Sequence, residues 1–261
     1  MKRPYFTLWA IIVLAFAGFL FLSVYNDEVH RLYIRTGSFA KSLWGTSATA
    51  QEHTQARRVP TPKQPKKKAA VLDTTSKNIL FIGDSMLEGL APRLGAYCEA
   101  NGHTLNSVIW YSSTSEVWSG SGKLTQYIKQ FKPNYIFVCL GSNELFVNDI
   151  KEKRRHMVKK ILAEIGTIPY IWIGPPNWKP DTGINSLLQE EVAEGHYYLS
   201  FTPTQHYDRS KDGAHPTRSS ASAWMDRVCH WVMTSSEAPI KLKVPTQARG
   251  AMHAVVLQPV G

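Results

Sequence analysis

Asn78-Ile-Leu-Phe-Ile-Gly-Asp-Ser85 is the stretch of this 261-residue sequence that decides the fold. Its apolar run ends at Gly83, and apolar residues then recur at helical spacing from Met86 to Ala100. A short apolar run, a tight turn and an amphipathic helix together indicate a β-strand that leads directly into a helix. That unit is the building block of α/β domains.

The same alternation continues toward the C-terminus. Further strands are predicted at 105–110, 135–140, 170–173 and 197–201, and further helices at 123–131, 150–165, 185–192 and 219–233. Strands that alternate with helices form a parallel sheet that is covered on both faces, with right-handed crossovers. The sequence therefore predicts an α/β fold, a three-layer α/β/α sandwich around a central parallel sheet of about five strands.

The chain begins with an apolar segment. Leu8 to Val24 carries no charge, and with its flanking residues it reaches the ~20 residues that a helix needs to span a bilayer. Lys2 and Arg3 favour a cytoplasmic start, although basic residues soon after the span compete with that orientation. We expect residues 1–28 to hold a cytoplasmic start and an uncleaved signal anchor, with a removed signal peptide as the alternative. The protein is then a single-pass membrane protein whose domain is periplasmic or extracellular.

A polar spacer separates this anchor from the domain. Residues 29–77 are interpreted as a juxtamembrane segment and a basic flexible linker. The chain has 30 Lys and Arg against 20 Asp and Glu, a formal charge of +10. Six of those basic residues lie in the linker, namely Arg57, Arg58, Lys63, Lys66, Lys67 and Lys68. Because much of the excess charge lies in this solvated segment, we expect no nucleic-acid partner. The domain is assigned to 78–235 and a C-terminal tail to 236–261.

Three polar motifs follow predicted strands or precede the last helix. They are Gly83-Asp84-Ser85, Gly141-Ser142-Asn143-Glu144 and Asp212-Gly213-Ala214-His215. Ligands of such sheets bind beyond the carboxyl ends of the strands, where all three motifs are expected to meet. A serine hydroxyl becomes nucleophilic when a histidine removes its proton and a carboxylate orients that histidine. The motifs therefore predict Ser85, His215 and Asp212 as a catalytic triad.

The same motifs offer hydrogen-bond donors for a negatively charged intermediate. The Asn143 side-chain amide and the Ser85 backbone N–H, at a helix N-terminus, are the predicted oxyanion donors. Gly83 is interpreted as the residue that allows a strained turn to expose Ser85. Taken singly, each motif is also explained by helix capping or an ordinary turn. Their order along the chain and their shared position at one edge favour catalysis.

At these residues the chain resembles the SGNH, or GDSL, hydrolase family, in particular its membrane-anchored bacterial members. The resemblance implies a flavodoxin-like fold, Ser85 as nucleophile, Asp212 and His215 as the other triad members, and Asn143 as an oxyanion donor. The family places an oxyanion glycine after the second strand, where this chain reads Tyr111-Ser-Ser-Thr-Ser-Glu116. Ser115 is assigned to that role, with Gly120 or a hole of only two donors as alternatives. The chain also has Glu144 where many members carry Asp.

The resemblance implies a serine-dependent ester hydrolase that acts on an acyl or acetyl ester through an acyl-serine intermediate, with a cell-envelope glycan as a candidate carrier of that ester. An O-acyltransferase to a glycan hydroxyl and a non-catalytic glycan-binding module are the alternatives. Trp118 and Trp178 are predicted to bind substrate by stacking on sugar rings. Nine histidines occur without a metal-ligand pair on a helix, so no metal or other cofactor is expected.

Overall fold

The computed structural model describes residues 70–251 and 253–259. The predicted signal anchor and linker up to residue 69 lie outside the described residues, so both stay predictions. Within the described ranges, no helix combines the length and the apolar character that crossing a membrane requires.

Strands and helices alternate through the described residues as the sequence predicts. The strands are β1 (Asn78–Gly83), β2 (Thr104–Trp110), β3 (Tyr135–Cys139), β4 (Tyr170–Ile173), β5 (Tyr197–Tyr198) and β6 (His253–Leu257). The helices are α1 (Leu87–Asn101), α2 (Ser115–Ser121), α3 (Lys123–Phe131), α4 (Ile150–Ile165), α5 (Ile184–Glu191) and α6 (Arg218–Ser235). The short helix α2 has no counterpart among the predicted elements.

All of these strands join one parallel sheet in the order β5-β4-β3-β1-β2-β6. Successive residues of β1 point to opposite faces, as the pleat requires. Ile79 and Phe81 belong to the core shared with α1 and α6. Leu80 and Ile82 belong to the core on the other face, shared with α2 to α5. The three-layer α/β/α prediction is confirmed.

The sixth strand comes from the segment that the sequence analysis assigned to a C-terminal tail. Residues 253–257 pair in parallel with β2, in a register that runs from Asn106 opposite His253 to Trp110 opposite Leu257. The segment is short and half exposed at the edge of the sheet, so its pattern lacks the continuous apolar run of a central strand. The sheet therefore has one strand more than the five that were predicted.

A segment that we call the C-terminal strap, residues 243–251, leads into β6 across the outer surface of α1. The Asn101 side chain donates to the Lys243 carbonyl at 2.9 Å and accepts the Lys243 N–H at 3.0 Å. At the other end of the strap, the Gly250 N–H donates to the Pro92 carbonyl at 2.9 Å. The strap is thus fixed to α1 at both ends.

Two glycines allow the strap to lie directly on the helix. A Cβ atom at Gly250 would come within 2.4 Å of the backbone of Gly95 and Ala96. A Cβ atom at Gly95 would come within 2.9 Å of the Ala251 carbonyl oxygen. Both obstacles are backbone atoms that cannot rotate away, so each position requires glycine for steric reasons.

Candidate active site

The predicted triad residues meet at the carboxyl edge of the sheet. Ser85 Oγ lies 2.8 Å from His215 Nε2, and His215 Nδ1 lies 2.8 Å from Asp212 Oδ2. With its proton on Nδ1, the imidazole donates to Asp212 and offers the Nε2 lone pair to the serine hydroxyl. The three side chains therefore form a continuous serine–histidine–aspartate hydrogen-bond chain.

Ser85 lies in the turn between β1 and α1. Asp84 Oδ1 accepts the Met86 N–H at 2.9 Å, which shapes this turn. Gly83 fits here because a Cβ atom would lie 2.2 Å from the Cys139 carbonyl oxygen of β3. Its φ is not among the positive values in the described chain, so the interpretation of a strained glycine is replaced by close packing of β1 on β3.

Asp212 and His215 lie on one short loop that precedes α6. Asp212 Oδ1 accepts the N–H groups of Ala214 and His215 at 2.8 and 2.9 Å, while Oδ2 accepts from the imidazole. These hydrogen bonds, led by the His215 backbone N–H, lower the pKa of Asp212 to about 2. The carboxylate is consequently ionised across the pH range in which histidine titrates. Gly213 takes a left-handed φ of 72°, which closes the loop.

Arg209 holds this loop against the one that follows β4. Its guanidinium donates to the Ala214 carbonyl at 2.7 Å, to the Asn177 carbonyl at 3.0 Å and to the Pro176 carbonyl. Partial burial lowers the pKa of Arg209. A single side chain thus links the backbone next to His215 to the loop that follows β4. No sequence pattern marks Arg209, because its hydrogen-bond partners are all backbone carbonyls.

The predicted oxyanion donor Ser115 is engaged elsewhere. Its backbone N–H donates to Glu144 Oε2 at 3.0 Å, and its hydroxyl donates to Glu144 Oε1 at 2.7 Å. Ser115 is also buried in the first turn of α2. Because its N–H already has a carboxylate acceptor, Ser115 is not available to an oxyanion. The alternative, Gly120, is an exposed residue of α2 outside the residues that line the triad cleft.

The Glu144 side chain contacts residues of two helices next to the site. Its carboxylate is buried, reaches both polar groups of Ser115 and lies 3.0 Å from Arg154 Nε of α4. Burial raises the pKa of Glu144, and the Ser115 and Arg154 contacts oppose that rise. The carboxylate therefore connects the loop after β3 to α2 and α4.

Ser112 occupies the turn between β2 and α2 in an unusual conformation. Its φ is 56°, in the left-handed region that serine rarely adopts. It lines the same cleft as Ser85 and His215, and its N–H has no acceptor among the described residues. The neighbouring Ser113 carbonyl accepts an amide hydrogen from Asn143 at 3.0 Å. That contact ties Asn143 to the Ser112 turn and leaves the second amide hydrogen of Asn143 without an acceptor in the described chain.

The two tryptophans assigned to substrate lie in different environments. Trp118 is fully buried, packs edge-on against Trp110 and donates to Ser113 Oγ at 3.0 Å, so it supports the Ser112 turn and cannot stack on a sugar. Trp178 donates to the Ser142 carbonyl at 2.9 Å and lies beneath Lys179. It lines a separate cleft of about 680 Å³.

The triad opens into a cleft of about 750 Å³, within the range of small-molecule sites. One wall carries Ser85 and His215. The C-terminal segment also lines the cleft, through Arg249, Ala254 and Val256. The strap and β6 therefore complete the cleft as well as the sheet.

Asp84 is a buried carboxyl next to Ser85 in the chain. It is fully buried, and its Oδ2 has no hydrogen-bond partner among the described residues. Burial raises the pKa of Asp84 to about 7. The folded state therefore binds this proton more tightly than the unfolded chain, whose carboxyl titrates near 3.8. The resulting stabilisation is present below about pH 4 and is lost as pH rises through 7.

We expect Asp84→Asn to remove this pH dependence. At each pH, the effect of the substitution is the unfolding free energy of the variant minus that of the unmodified protein. This difference should be roughly 3 kcal/mol more positive at pH 8 than at pH 4.5, because the buried carboxyl ionises at high pH and the amide does not. Urea unfolding of both proteins at the two pH values measures this difference, and taking it within each pH cancels the titration of other groups. An equal difference at both pH values would show that Asp84 ionises normally.

Comparisons with known proteins give likeness of architecture only. No protein-family model and no curated protein matches the sequence. A psychrotrophic esterase from Pseudoalteromonas superimposes with a TM-score of 0.45 and 17% identity over 59% of this chain and 96% of its own. A lipase/acylhydrolase from Enterococcus faecalis gives 0.46 and 16% over 58% and 94%. A two-domain esterase active on acetylated mannans gives 0.45 and 10% over 66% and 53%.

Proposed function

We propose that this chain is a member of the SGNH/GDSL family and a serine-dependent ester hydrolase. The observation that carries the proposal is the pair of 2.8 Å contacts that join Ser85 to His215 and His215 to Asp212. A helix cap or an ordinary turn would explain each residue alone. Neither role requires Ser85 and His215, 130 residues apart in the sequence, to be in hydrogen-bond contact.

The geometry supports a two-step reaction. In the first step, Ser85 Oγ attacks the ester carbonyl carbon while His215 Nε2 takes its proton, and the carbonyl electron pair moves to oxygen. The tetrahedral intermediate collapses, the alcohol leaves with the proton from His215, and an acyl-Ser85 ester remains. In the second step, a water gives a proton to His215 Nε2 and its oxygen attacks the acyl carbon to form a second tetrahedral intermediate. The bond between the acyl carbon and Ser85 Oγ then breaks, His215 returns the proton to Oγ, and the acid leaves. Asp212 stabilises the imidazolium in both steps.

Three donors are suited to hold the oxyanion. They are the backbone N–H groups of Ser85 and Ser112 and the free amide hydrogen of Asn143. Neither backbone group has an acceptor among the described residues, and both residues line the cleft. The left-handed turn at Ser112 takes the position where the family has glycine, so the donor assigned to Ser115 is reassigned to Ser112.

Ser112→Gly is expected to keep the activity, because glycine retains the backbone N–H. It should also raise the unfolding free energy by about 1 kcal/mol, since glycine adopts the left-handed conformation without a steric penalty. Ser112→Val should lose both stability and kcat, because a β-branched residue disfavours positive φ. Urea unfolding and ester hydrolysis measured side by side test both variants. A folded Ser112→Gly protein with kcat reduced more than about tenfold would point to the hydroxyl instead of the N–H.

Solvent exposure favours hydrolysis over acyl transfer. The side chains of His215 and Asp212 are 38% and 50% exposed. Water can therefore reach His215, the base that would remove a proton from it. Transfer to a glycan hydroxyl needs water to be kept from the acyl enzyme. Incubation with an acyl ester and a glycan acceptor should therefore release mainly free acid, whereas a predominantly acylated glycan would favour the transferase. A cell-envelope glycan as the alcohol, and anchoring through residues 8–24, remain sequence-based predictions.

A serine-directed fluorophosphonate tests the proposal against the non-catalytic alternative. The full-length protein should become labelled at Ser85 and should hydrolyse a short-chain aryl acetate. Ser85→Ala should abolish the label, while Ser235→Ala, at an exposed site on α6, should retain it. Failure of Ser85 to react in the unmodified protein would rule out an activated serine.

A further inference from the structure

Two arginines line the triad cleft without an ionic partner. Arg218 is the first residue of α6, and Arg249 belongs to the C-terminal strap. Both are exposed, and no carboxylate of the described residues lies within 4.0 Å of either guanidinium. Seven other basic residues of the described chain do form such pairs: Lys77, Arg93, Lys151, Lys153, Arg154, Arg155 and Lys159.

The negative groups of the same cleft are already satisfied. The Glu88 carboxylate accepts the Tyr111 hydroxyl. The Asp212 carboxylate accepts the His215 ring and two backbone N–H groups. The carboxylates that line the cleft already accept hydrogen bonds, whereas the two guanidinium groups have no acceptor among the described residues. The cleft is therefore suited to bind an anion.

The position of Arg218 works against the stability of its own helix. The N-terminus of an α-helix carries a partial positive charge, and a cation in the first turn costs roughly 0.3–1 kcal/mol. α6 has 18 residues, so its dipole is fully developed. An anion in the cleft would be attracted by the helix terminus and by Arg218 together, which turns an unfavourable placement into a favourable one.

Arg249 is carried by a fixed backbone. On one side of it, the Gln247 carbonyl accepts from Arg93 Nη1 at 2.8 Å. On the other side, Gly250 donates to the Pro92 carbonyl and packs directly on Gly95. The strap therefore holds Arg249 at a defined point of the cleft lining that also includes Ser85 and His215.

We propose that the cleft selects esters that carry a second, anionic group, a carboxylate or a phosphate, and that Arg218 and Arg249 bind it. This inference rests on the proposed function. A guanidinium pairs with either anion through two parallel N–H···O bonds, which gives orientation as well as attraction. The anion lies in the part of the substrate away from the scissile carbonyl, so that the ester carbon remains at Ser85 Oγ.

Matched acetate esters test this selectivity in the full-length protein. The probes are 3-acetoxybenzoate and 3-acetoxyphenyl phosphate, with uncharged 3-acetoxybenzamide as the reference. We expect kcat/KM for at least one anionic ester to exceed that of the amide by roughly tenfold or more. The more favoured anion identifies carboxylate or phosphate as the natural group. Because both arginines are exposed, the preference should shrink in about 1 M salt.

Arginine variants test whether Arg218 and Arg249 cause the preference, measured as the ratio of kcat/KM for an anionic ester to kcat/KM for the neutral ester. Arg218→Gln and Arg249→Gln together should bring the ratio of anionic to neutral kcat/KM close to one. Arg249→Lys should keep part of the preference, because it conserves the charge but not the paired hydrogen bonds. Lys160 is exposed on α4 and does not line the cleft. Lys160→Gln therefore removes one positive charge and should leave the ratio unchanged. Unfolding curves show whether each variant is folded.

The failure of this inference is separable from the failure of the proposed function. If the unmodified protein hydrolyses the benzamide ester as fast as both anionic esters, anion selection is wrong and the esterase assignment stands. A preference that survives in the folded double variant would also overturn the role of the two arginines. If no ester is hydrolysed and Ser85 is not labelled by a fluorophosphonate, the proposed function itself fails.

Discussion

Ser85→Ala is expected to lower kcat for ester hydrolysis by about 10⁵-fold, and His215→Ala should lower it by a similar factor. The two residues act as a unit, because Ser85 Oγ can attack only when His215 Nε2, 2.8 Å away, accepts its proton. The double variant should therefore be no slower than either single variant. Rates measured with an aryl acetate, after removal of any contaminating esterase, give these three numbers.

Asp212→Asn should have a smaller effect, about 10²- to 10³-fold, for two reasons. Asparagine can still accept the Ala214 and His215 backbone N–H groups, so the loop keeps its shape. The carboxylate is also half exposed, and water can partly stabilise the imidazolium in its place. Ser235→Ala controls for the loss of a hydroxyl. A folded Ser85→Ala protein that keeps a tenth of the activity would contradict the triad.

Gly250→Val is expected to destabilise the protein by about 3 kcal/mol and to reduce its activity. The first side-chain atom would lie 2.4 Å from the backbone of α1, which cannot move aside, so the strap must lift. Lifting breaks the Gly250 bond to Pro92 and weakens the pairing of β6 with β2. The wall that carries Arg249 would then lose its support.

Gly120→Ala is the matched control for that substitution. Gly120 lies in the helix α2 with open space around it, so alanine should raise stability by about 0.5–1 kcal/mol. Urea unfolding of the two variants and the unmodified protein measures both changes. If Gly250→Val unfolded at the same urea concentration as the unmodified protein, the strap would not pack on α1 as described.

Periodic patterns made most of the sheet predictable from sequence. The apolar runs of β1 and β3 are buried on both faces, so they contain few polar residues, and the helices between them show helical spacing. The proximity of Ser85, Asp212 and His215 was predictable because each lies in a short polar motif next to a strand or helix. Parallel strands then bring the ends of distant segments to one edge.

Features that depend on contacts between distant segments were not predictable. A glycine in the sequence would have indicated a left-handed φ, but serine does not, so the turn at Ser112 was not predicted. Ser115 looked available because its acceptor, Glu144, comes from the loop after another strand. Trp118 was expected to stack on substrate, but it belongs to α2 and is buried in the core. β6 was missed because it is a short, largely exposed edge strand that lacks the continuous apolar run of β1 and β3.

The pairing of β2 with β6 also sets the order in which the molecule comes apart. It joins residues as distant in the chain as Asn106 and His253, and contacts of such long range form late in folding. As a half-exposed edge strand, β6 belongs to the part of the structure that opens at low free energy, before the central strands that hold Ser85. Partial unfolding would therefore remove the Arg249 wall first. If the anion selectivity proposed for Arg218 and Arg249 is correct, mild denaturation should lower the preference for anionic esters before it lowers ester hydrolysis itself.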